Sequence, residues 1–368
     1  MKEETIVHIG LHKTGTKYLQ HHLFPKLDVE GFNYNPEPFT QYAMDYIKAE
    51  ASDRPLVLKA IIREREELKK DNRKKLISKE IMCGDLFSAY RNWKENVKGL
   101  KDVFGECKII VSLRFQPNWL ISCYRESVHE HHYQPIEKFL AYDSESDEFL
   151  RDVSPRNNLG FAQLDALRLD YEKMLSELYQ TFDRENVFVY FFEDFKRDRT
   201  AVIERILDFI GSGAVEPKPI SGIPNRGYSA ASIERSIERY KELRHSDKAG
   251  MIHRPIFFHG KNSIPAGNIE LSVLDKDKYW GPQFLRDNEE VRSPNYPNLS
   301  DKERTDLENS WRYQVKNVFD KEKYTDWDLL GDLREPLEDY YTDLNAKLKN
   351  VIDGSVPEIY FHGTRTSK

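Results

Sequence analysis

Gly10 and Gly15 bracket Lys13 and Thr14, with Thr16 and Lys17 just beyond. Residues of these types at this spacing suit the holding of an anion. In a glycine-bracketed turn the backbone amides converge on one point, the following helix adds the positive end of its dipole, and Lys13 supplies a mobile full charge. A second set lies further on: Arg114 brings a planar fork that takes two phosphate oxygens, and Ser122 brings a short hydroxyl. Between the two sets stands Glu80, a carboxylate at the end of an apolar run, where open α/β sheets form their ligand crevice.

These residues need elements to carry them. Thr5 to Ile9 is apolar and β-branched, and Tyr18, Leu19, His22 and Leu23 continue in a helix-forming segment, so the first set sits on a strand, a turn and a helix. Glu30 to Phe39, rich in Asn, Pro and aromatic residues, reads as a loop that helps to wall a pocket. Leu56 to Asp71 reads as a helix with a charged, solvated face. Strands are expected at Lys75 to Glu80, Cys107 to Leu113 and Val187 to Phe192, the last having almost no polar face and so lying deep in a sheet. Pro117 opens a helix after Arg114, and Trp119, Leu120 and Cys123 mark the side of that helix facing the core. Tyr142 to Arg156 reads as an exposed acidic loop. Leu164, Leu167, Tyr171, Met174, Leu178 and Phe182 recur at helical spacing and predict one long amphipathic helix. Val202 to Ile210 predicts another, capped by Gly211. Alternating strands and helices with short turns predict an α/β fold with a central parallel sheet covered by helices on both faces.

The position of the lysine decides which anion. The nucleoside-triphosphate loop G-x-x-x-x-G-K-[ST] requires lysine where Thr16 stands and a hydroxyl where Lys17 stands. Here the lysine lies inside the loop, and the hydroxyl that would bind magnesium is missing. The segment His12-Lys13-Thr14-Gly15-Thr16 resembles the 5′-phosphosulfate loop of sulfotransferases that use 3′-phosphoadenosine-5′-phosphosulfate (PAPS), in its bacterial form, which usually has Thr or Ser in place of Lys17. The pattern Arg114-x-x-Pro117-x-x-x-x-Ser122-x-Tyr124 resembles the 3′-phosphate site of the same family. Two anion sites in two strand-to-helix turns suit a nucleotide with phosphates at both ends of its ribose.

The resemblance implies a P-loop-like sulfotransferase fold. It also implies transfer of the sulfuryl group from PAPS to a hydroxyl or amine, with PAP as product and no metal. Residues Thr14, Gly15, Thr16 and Lys17 would hold the 5′-phosphate, and Lys13 would neutralise charge on the breaking bond. Arg114 and Ser122 would hold the 3′-phosphate. Ser78-Lys79-Glu80 resembles the family's Ser-x-Glu, which makes Glu80 the base; Asp85, His12 or a histidine of the group 129 to 132 would be next. Glu193-Asp194 resembles a pair that ties the strand end to neighbouring loops. Arg226 and Gly227 loosely match a basic loop that covers adenine and the 3′-phosphate. The alternatives are a P-loop kinase using ATP and magnesium, and a nucleotide-binding protein without catalysis.

At 368 residues the chain reads as one sulfotransferase-like domain, residues 1–368. It divides into a PAPS-binding α/β core over 1–212, a loop-rich lid for cofactor or acceptor over 213–300, and C-terminal helices over 301–368. Leu307, Trp311, Val315 and Phe319, then Leu333, Leu337, Tyr341, Leu344 and Leu348, carry the helical period there, with Asn345 resembling a family asparagine. Aromatic and polar residues in the loop-rich parts suit a carbohydrate or glycolipid acceptor. A net charge of -6 gives no basic field for nucleic acid or an anionic membrane. The three cysteines, Cys83, Cys107 and Cys123, fit no disulfide framework and no metal spacing, and His129, His131 and His132 lack the spacing of a zinc helix. No run approaches the roughly 20 apolar residues of a membrane span, and the polar start has no signal-peptide pattern, so a cytoplasmic protein is expected; oligomeric state is left open.

Overall fold

The structure, a computed structural model, describes residues 4–28, 31–49, 52–130, 132–157, 160–213, 215–216, 228–244 and 328–364. Five strands form one all-parallel sheet: β1 (Thr5–His8), β2 (Phe32–Tyr34), β3 (Lys74–Ser78), β4 (Lys108–Leu113) and β7 (Val187–Phe191), in the spatial order β2-β3-β1-β4-β7. The register pairs His8 with Ser78 on one side and with Ile110 on the other, and Ser112 with Tyr190.

Alternate residues of each strand enter different cores. Val7, Ile77, Ile109, Val111 and Phe191 belong to one cluster, shared with α3 (Phe39–Lys48), α5 (Trp93–Phe104), α6 (Gln116–His129) and α8 (Tyr171–Phe182). Ile6, Leu76, Ile110 and Tyr190 belong to the other, with α2 (Phe24–Leu27), α9 (Phe192–Arg197) and α10 (Arg199–Ile210). Both faces of the sheet are therefore covered, which is why its strands are apolar on both sides.

Chain order and spatial order together locate a crevice. The chain leaves β1 toward β2 on one side of the sheet and leaves β4 toward β7 on the other. Between the carboxyl ends of these two adjacent strands the connections diverge, and such a switch point is where parallel sheets open a binding cleft.

Several expectations need correction. The strand expected deep in the sheet, Val187 to Phe191, is instead an edge strand, paired only with β4 among the described strands, and its apolar residues are covered by helices and not by a further strand. Residues 30–39 are not all loop, because Phe32–Tyr34 pairs with β3 as an edge strand and buries Phe32. The helix expected from Leu164 begins only at Tyr171: Asp170 caps it, its carboxylate accepting from the Lys173 amide, while Leu164, Ala166 and Leu169 are buried in irregular chain. Within the acidic stretch after Tyr142, two short strands, β5 (Tyr142–Asp143) and β6 (Glu148–Phe149), pair antiparallel. β3 stops at Ser78, so Glu80 opens a 3₁₀ turn, Glu80–Cys83, instead of closing the strand. Elsewhere the expected helices form: α4 (Arg54–Leu68), α10 ending on a left-handed Gly211, and α12 (Arg334–Asn345). Arg226, Gly227, the stretch 250–300 and the period Leu307 to Phe319 lie outside the described residues.

At the amino ends of the strands Glu4 bridges β3 and β4, with Lys74 Nζ at 2.8 Å and Lys108 Nζ at 2.6 Å. Burial pushes the Glu4 carboxyl up, but the hydrogen bonds from Lys108 and Lys74 outweigh it and hold it below its ordinary 4.5. The stabilisation is thus present above that value and lost as pH falls through the lower folded-state value. Glu4→Gln is expected to cost about 1 kcal/mol at neutral pH, a surface-pair magnitude. Urea denaturation checks this, and the gap to the wild type should narrow when the titration is repeated below pH 4.5.

Candidate functional site

The turn after β1 is held by its carbonyls. Thr14 Oγ1 donates to the carbonyl of Leu11, Trp119 Nε1 to that of His12 at 3.0 Å, and Arg114 Nη1 to that of Lys13 at 2.8 Å. Three consecutive carbonyls are thus captured, one from within the turn and two from the strand end and helix that follow β4. Across a planar trans peptide the N–H points opposite to the C=O. The amides of Lys13 and Thr14 therefore face away from Trp119 and Arg114. Thr16 and Lys17 head the short helix α1 (Thr16–Tyr18), and first-turn amides have no acceptor within their helix. Convergent N–H groups with a lysine among them make a receptor for an anion.

The backbone of the turn is unusual at two places. Gly15 has φ +85, and Lys13, which carries a side chain, has φ +67. The left-handed region costs a lysine about 1 kcal/mol, and the Arg114 bond to its carbonyl helps to keep it there. Gly10 is required for space: a Cβ there would lie 2.7 Å from His8 Nε2, 2.7 Å from Ser112 Oγ and 2.8 Å from Thr16 Cγ2. Thr14, buried, also bonds Ser112 on β4. Its side chain belongs to the floor of the turn, and only its amide is available to a ligand.

Arg114 is a built feature. Its guanidinium lies 4.6 Å over the ring of Phe192, and its carbonyl accepts from Tyr171 Oη at 2.6 Å. Its Nε is buried with no hydrogen-bond partner among the described residues. Burial draws its pKa down, opposed by the Glu193 carboxylate, and an anion would complete both the charge and the hydrogen bond. Glu193 accepts from the Phe115 amide at 3.0 Å and from Tyr360 Oη at 3.2 Å, tying the end of β7 to the start of α6 and to α13 (Ile359–His362), as expected for that pair. Asn345 and Gln116 exchange two amide hydrogen bonds, 2.7 and 2.9 Å, which fasten α12 to the first residue of α6.

Along α6, Trp119, Ser122 and Glu126 follow at steps of three and four and share a stripe. Trp119 meets the carbonyl of His12, and Glu126 meets Lys13 Nζ at 2.9 Å. Ser122, partly exposed, sits between them on that stripe. Glu126 was not expected from the sequence; its place one turn beyond Ser122 was the available signal.

On the other flank, Glu80 Oε2 accepts from Gln20 Nε2 at 2.7 Å. Gln20 belongs to the π-helical turn Leu19–Leu23, another contact the sequence did not suggest. Burial pushes the Glu80 carboxyl up, but the hydrogen bond from Gln20 and its own backbone outweigh it and keep it low. His12 lies beside it, its Nδ1 3.3 Å from Tyr90 Oη and 3.7 Å from Cys83 Sγ, and burial lowers its pKa against the pull of Glu80, Asp85 and Glu126. His8, bonded to Ser78 Oγ at 2.7 Å, is pushed by burial down to about 4 and is a neutral part of the floor. His132 accepts from the Ala162 amide and is buried. Among the described residues no group of three or more His, Cys, Asp or Glu could hold a metal ion, and no helix is long and apolar enough to cross a membrane.

The structure thus brings Arg114 to the turn that carries Lys13, Thr14, Gly15 and Thr16, at the mouth between β1 and β4; Lys17 heads the helix that follows, Ser122 lies on the α6 stripe between Trp119 and Glu126, and Glu80 is on the β3 side. No model of a known protein family and no curated protein matches the sequence. Among solved structures the chain is similar to the sulfotransferase from Alicyclobacillus acidocaldarius, at 18% identity over 69% of this chain and 97% of that one, TM-score 0.41. It is similar also to mouse sulfotransferase SULT7A1 complexed with PAP, at 15% identity over 84% and 90%, TM-score 0.31. A third is the sulfotransferase domain from the curacin biosynthetic pathway, at 14% identity over 68% and 96%, TM-score 0.32.

Gly10→Ala is expected to destabilise the protein by about 1–3 kcal/mol, since the contacts it forces are with buried side chains. Gly213→Ala, with nothing within 4 Å of the new Cβ, should stay within about 0.5 kcal/mol of the wild type. Denaturant titration of the pair checks the difference.

Proposed function

We propose that this protein is a PAPS-dependent sulfotransferase that moves a sulfuryl group to a hydroxyl or amine of an acceptor, with a carbohydrate or glycolipid as the favoured class. The observation that carries the reading is the bond from Arg114 to the Lys13 carbonyl. It brings the two turns proposed to bind anions together, which supports a nucleotide with phosphates at both ends of its ribose. The order of Lys13, Gly15, Thr16 and Lys17 favours a phosphosulfate over a magnesium-bound triphosphate.

The residues fit the donor. Arg114, with a buried unpartnered Nε, and Ser122 would hold the 3′-phosphate. The amides of residues 14 to 17 and the Thr16 hydroxyl would hold the 5′-phosphate, and Arg226 and Gly227 are proposed to cover the nucleotide. PAPS supplies the sulfuryl group; the bond from sulfur to the oxygen shared with the 5′-phosphate breaks as the acceptor's oxygen or nitrogen bonds sulfur, releasing PAP. Lys13 neutralises charge on that leaving oxygen, and Glu80, held ionised and oriented by Gln20, takes the acceptor's proton. Most of the catalysis is positioning and charge stabilisation, which needs no metal in this scheme. The lid over 213–300 and the division of 1–368 into core, lid and terminal helices belong to the same proposal, as does a cytoplasmic location.

Lys13→Ala should abolish transfer of ³⁵S from labelled PAPS to a mixed acceptor panel while leaving the unfolding midpoint within a few degrees. Arg114→Ala should weaken PAP by about 1.5–3 kcal/mol in calorimetry and lose the preference for PAP over adenosine 5′-monophosphate. Undiminished turnover in the first, or an unchanged preference in the second, would refute these roles. Magnesium-dependent ATP hydrolysis by the wild type would instead mark a kinase. Glu80→Gln should reduce the transfer rate about 10²–10⁴-fold at unchanged PAP affinity, as for a general base.

A further inference from the structure

Lys13 is not waiting with a bare charge. Its Nζ lies 2.9 Å from Glu126 Oε2, and both side chains are 28% exposed. The pair is held from both sides. The main chain at Lys13 is fixed by Arg114 on its carbonyl, and Glu126 is fixed on α6 by a helix whose Trp119 binds the same turn. What remains free to move is the two side chains, above all the four-carbon stem of the lysine. An anion entering the turn therefore meets a lysine already paired, and gains most from its charge when the Glu126 contact is released.

We propose that Glu126 is the resting partner of Lys13 and that donor binding exchanges this carboxylate for the donor's anion. The inference rests on the sulfotransferase reading and adds to it a residue that regulates the same site. Glu126 is a positioning residue: it holds the ammonium at the mouth of the turn before the donor arrives, and it lowers donor affinity by the strength of the pair that must be broken. Breaking a partly exposed pair corresponds to a few-fold in affinity. The neighbouring charges fit this role. Glu80, Asp85, Glu126 and Lys13 all act on His12, and of those three carboxylates Glu126 is the one bonded to the lysine.

The test is a double-mutant cycle on PAP affinity, read by calorimetry at fixed ionic strength, with the wild type, Glu126→Gln, Lys13→Ala and the double variant. Glu126→Gln should bind PAP about 2–5-fold more tightly than the wild type. Simple repulsion between Glu126 and the phosphate survives without the lysine, so the gain in the Lys13→Ala background should be smaller by a similar factor. Equal gains in both backgrounds, or weaker binding by Glu126→Gln, overturn the exchange. Glu126→Asp keeps the charge on a shorter stem; it should also bind PAP more tightly, and it serves if the glutamine variant does not fold. A wild type that binds no PAP overturns the sulfotransferase reading and the exchange with it, whereas PAP binding with equal gains overturns the exchange alone.

Discussion

The site depends on the capture of three successive carbonyls in the turn after β1. Thr14, Trp119 and Arg114 each take one. A peptide cannot turn both its ends the same way, so binding the His12 and Lys13 carbonyls into the protein orients the Lys13 and Thr14 amides outward, while the His12 amide is held by Tyr90 Oη. Without those donors the same glycine-containing segment would be free to present carbonyls to the cleft and would repel an anion. Two of the three donors come from the segment that follows β4, which lies next to β1 only because the sheet places it there.

The rest of the molecule secures those donors. Arg114 is held by Phe192, Tyr171 and, through the Phe115 amide, by the surroundings of Glu193. Glu193 in turn receives Tyr360 from α13, and Gln116 receives Asn345 from α12. Helices near the carboxyl end of the described chain thus brace a site near its start. The flexible parts left in the mouth are side chains, chiefly the stem of Lys13, and their motion is fast compared with rearrangement of the backbone.

Much of this was legible in the residues. The apolar strands β1, β3, β4 and β7, the glycine-bracketed turn, the Pro117 helix start and the core position of Trp119 all follow from local pattern, because each is set by neighbours in the chain. β2 was not legible: it has three residues, lies at an edge, and is recognised only by its pairing with β3. The periodicity that suggested a helix from Leu164 reflects burial of Leu164, Ala166 and Leu169 in irregular chain, and burial alone does not fix backbone conformation. Glu126 and Gln20 looked like ordinary polar residues of helices, since nothing local distinguishes a glutamate that meets a lysine over a hundred positions away.

By itself the sequence determined the parallel α/β class and the order of charged and small residues in the turn, since residue type and spacing set strand propensity, backbone freedom and where a cation can sit. Tertiary structure decided that Arg114 and Lys13 share one mouth, that Glu80 is steered by Gln20, and that Lys13 rests against Glu126. Those contacts depend on which strands are neighbours and where their connections part, and adjacency between distant segments is a property of the folded sheet.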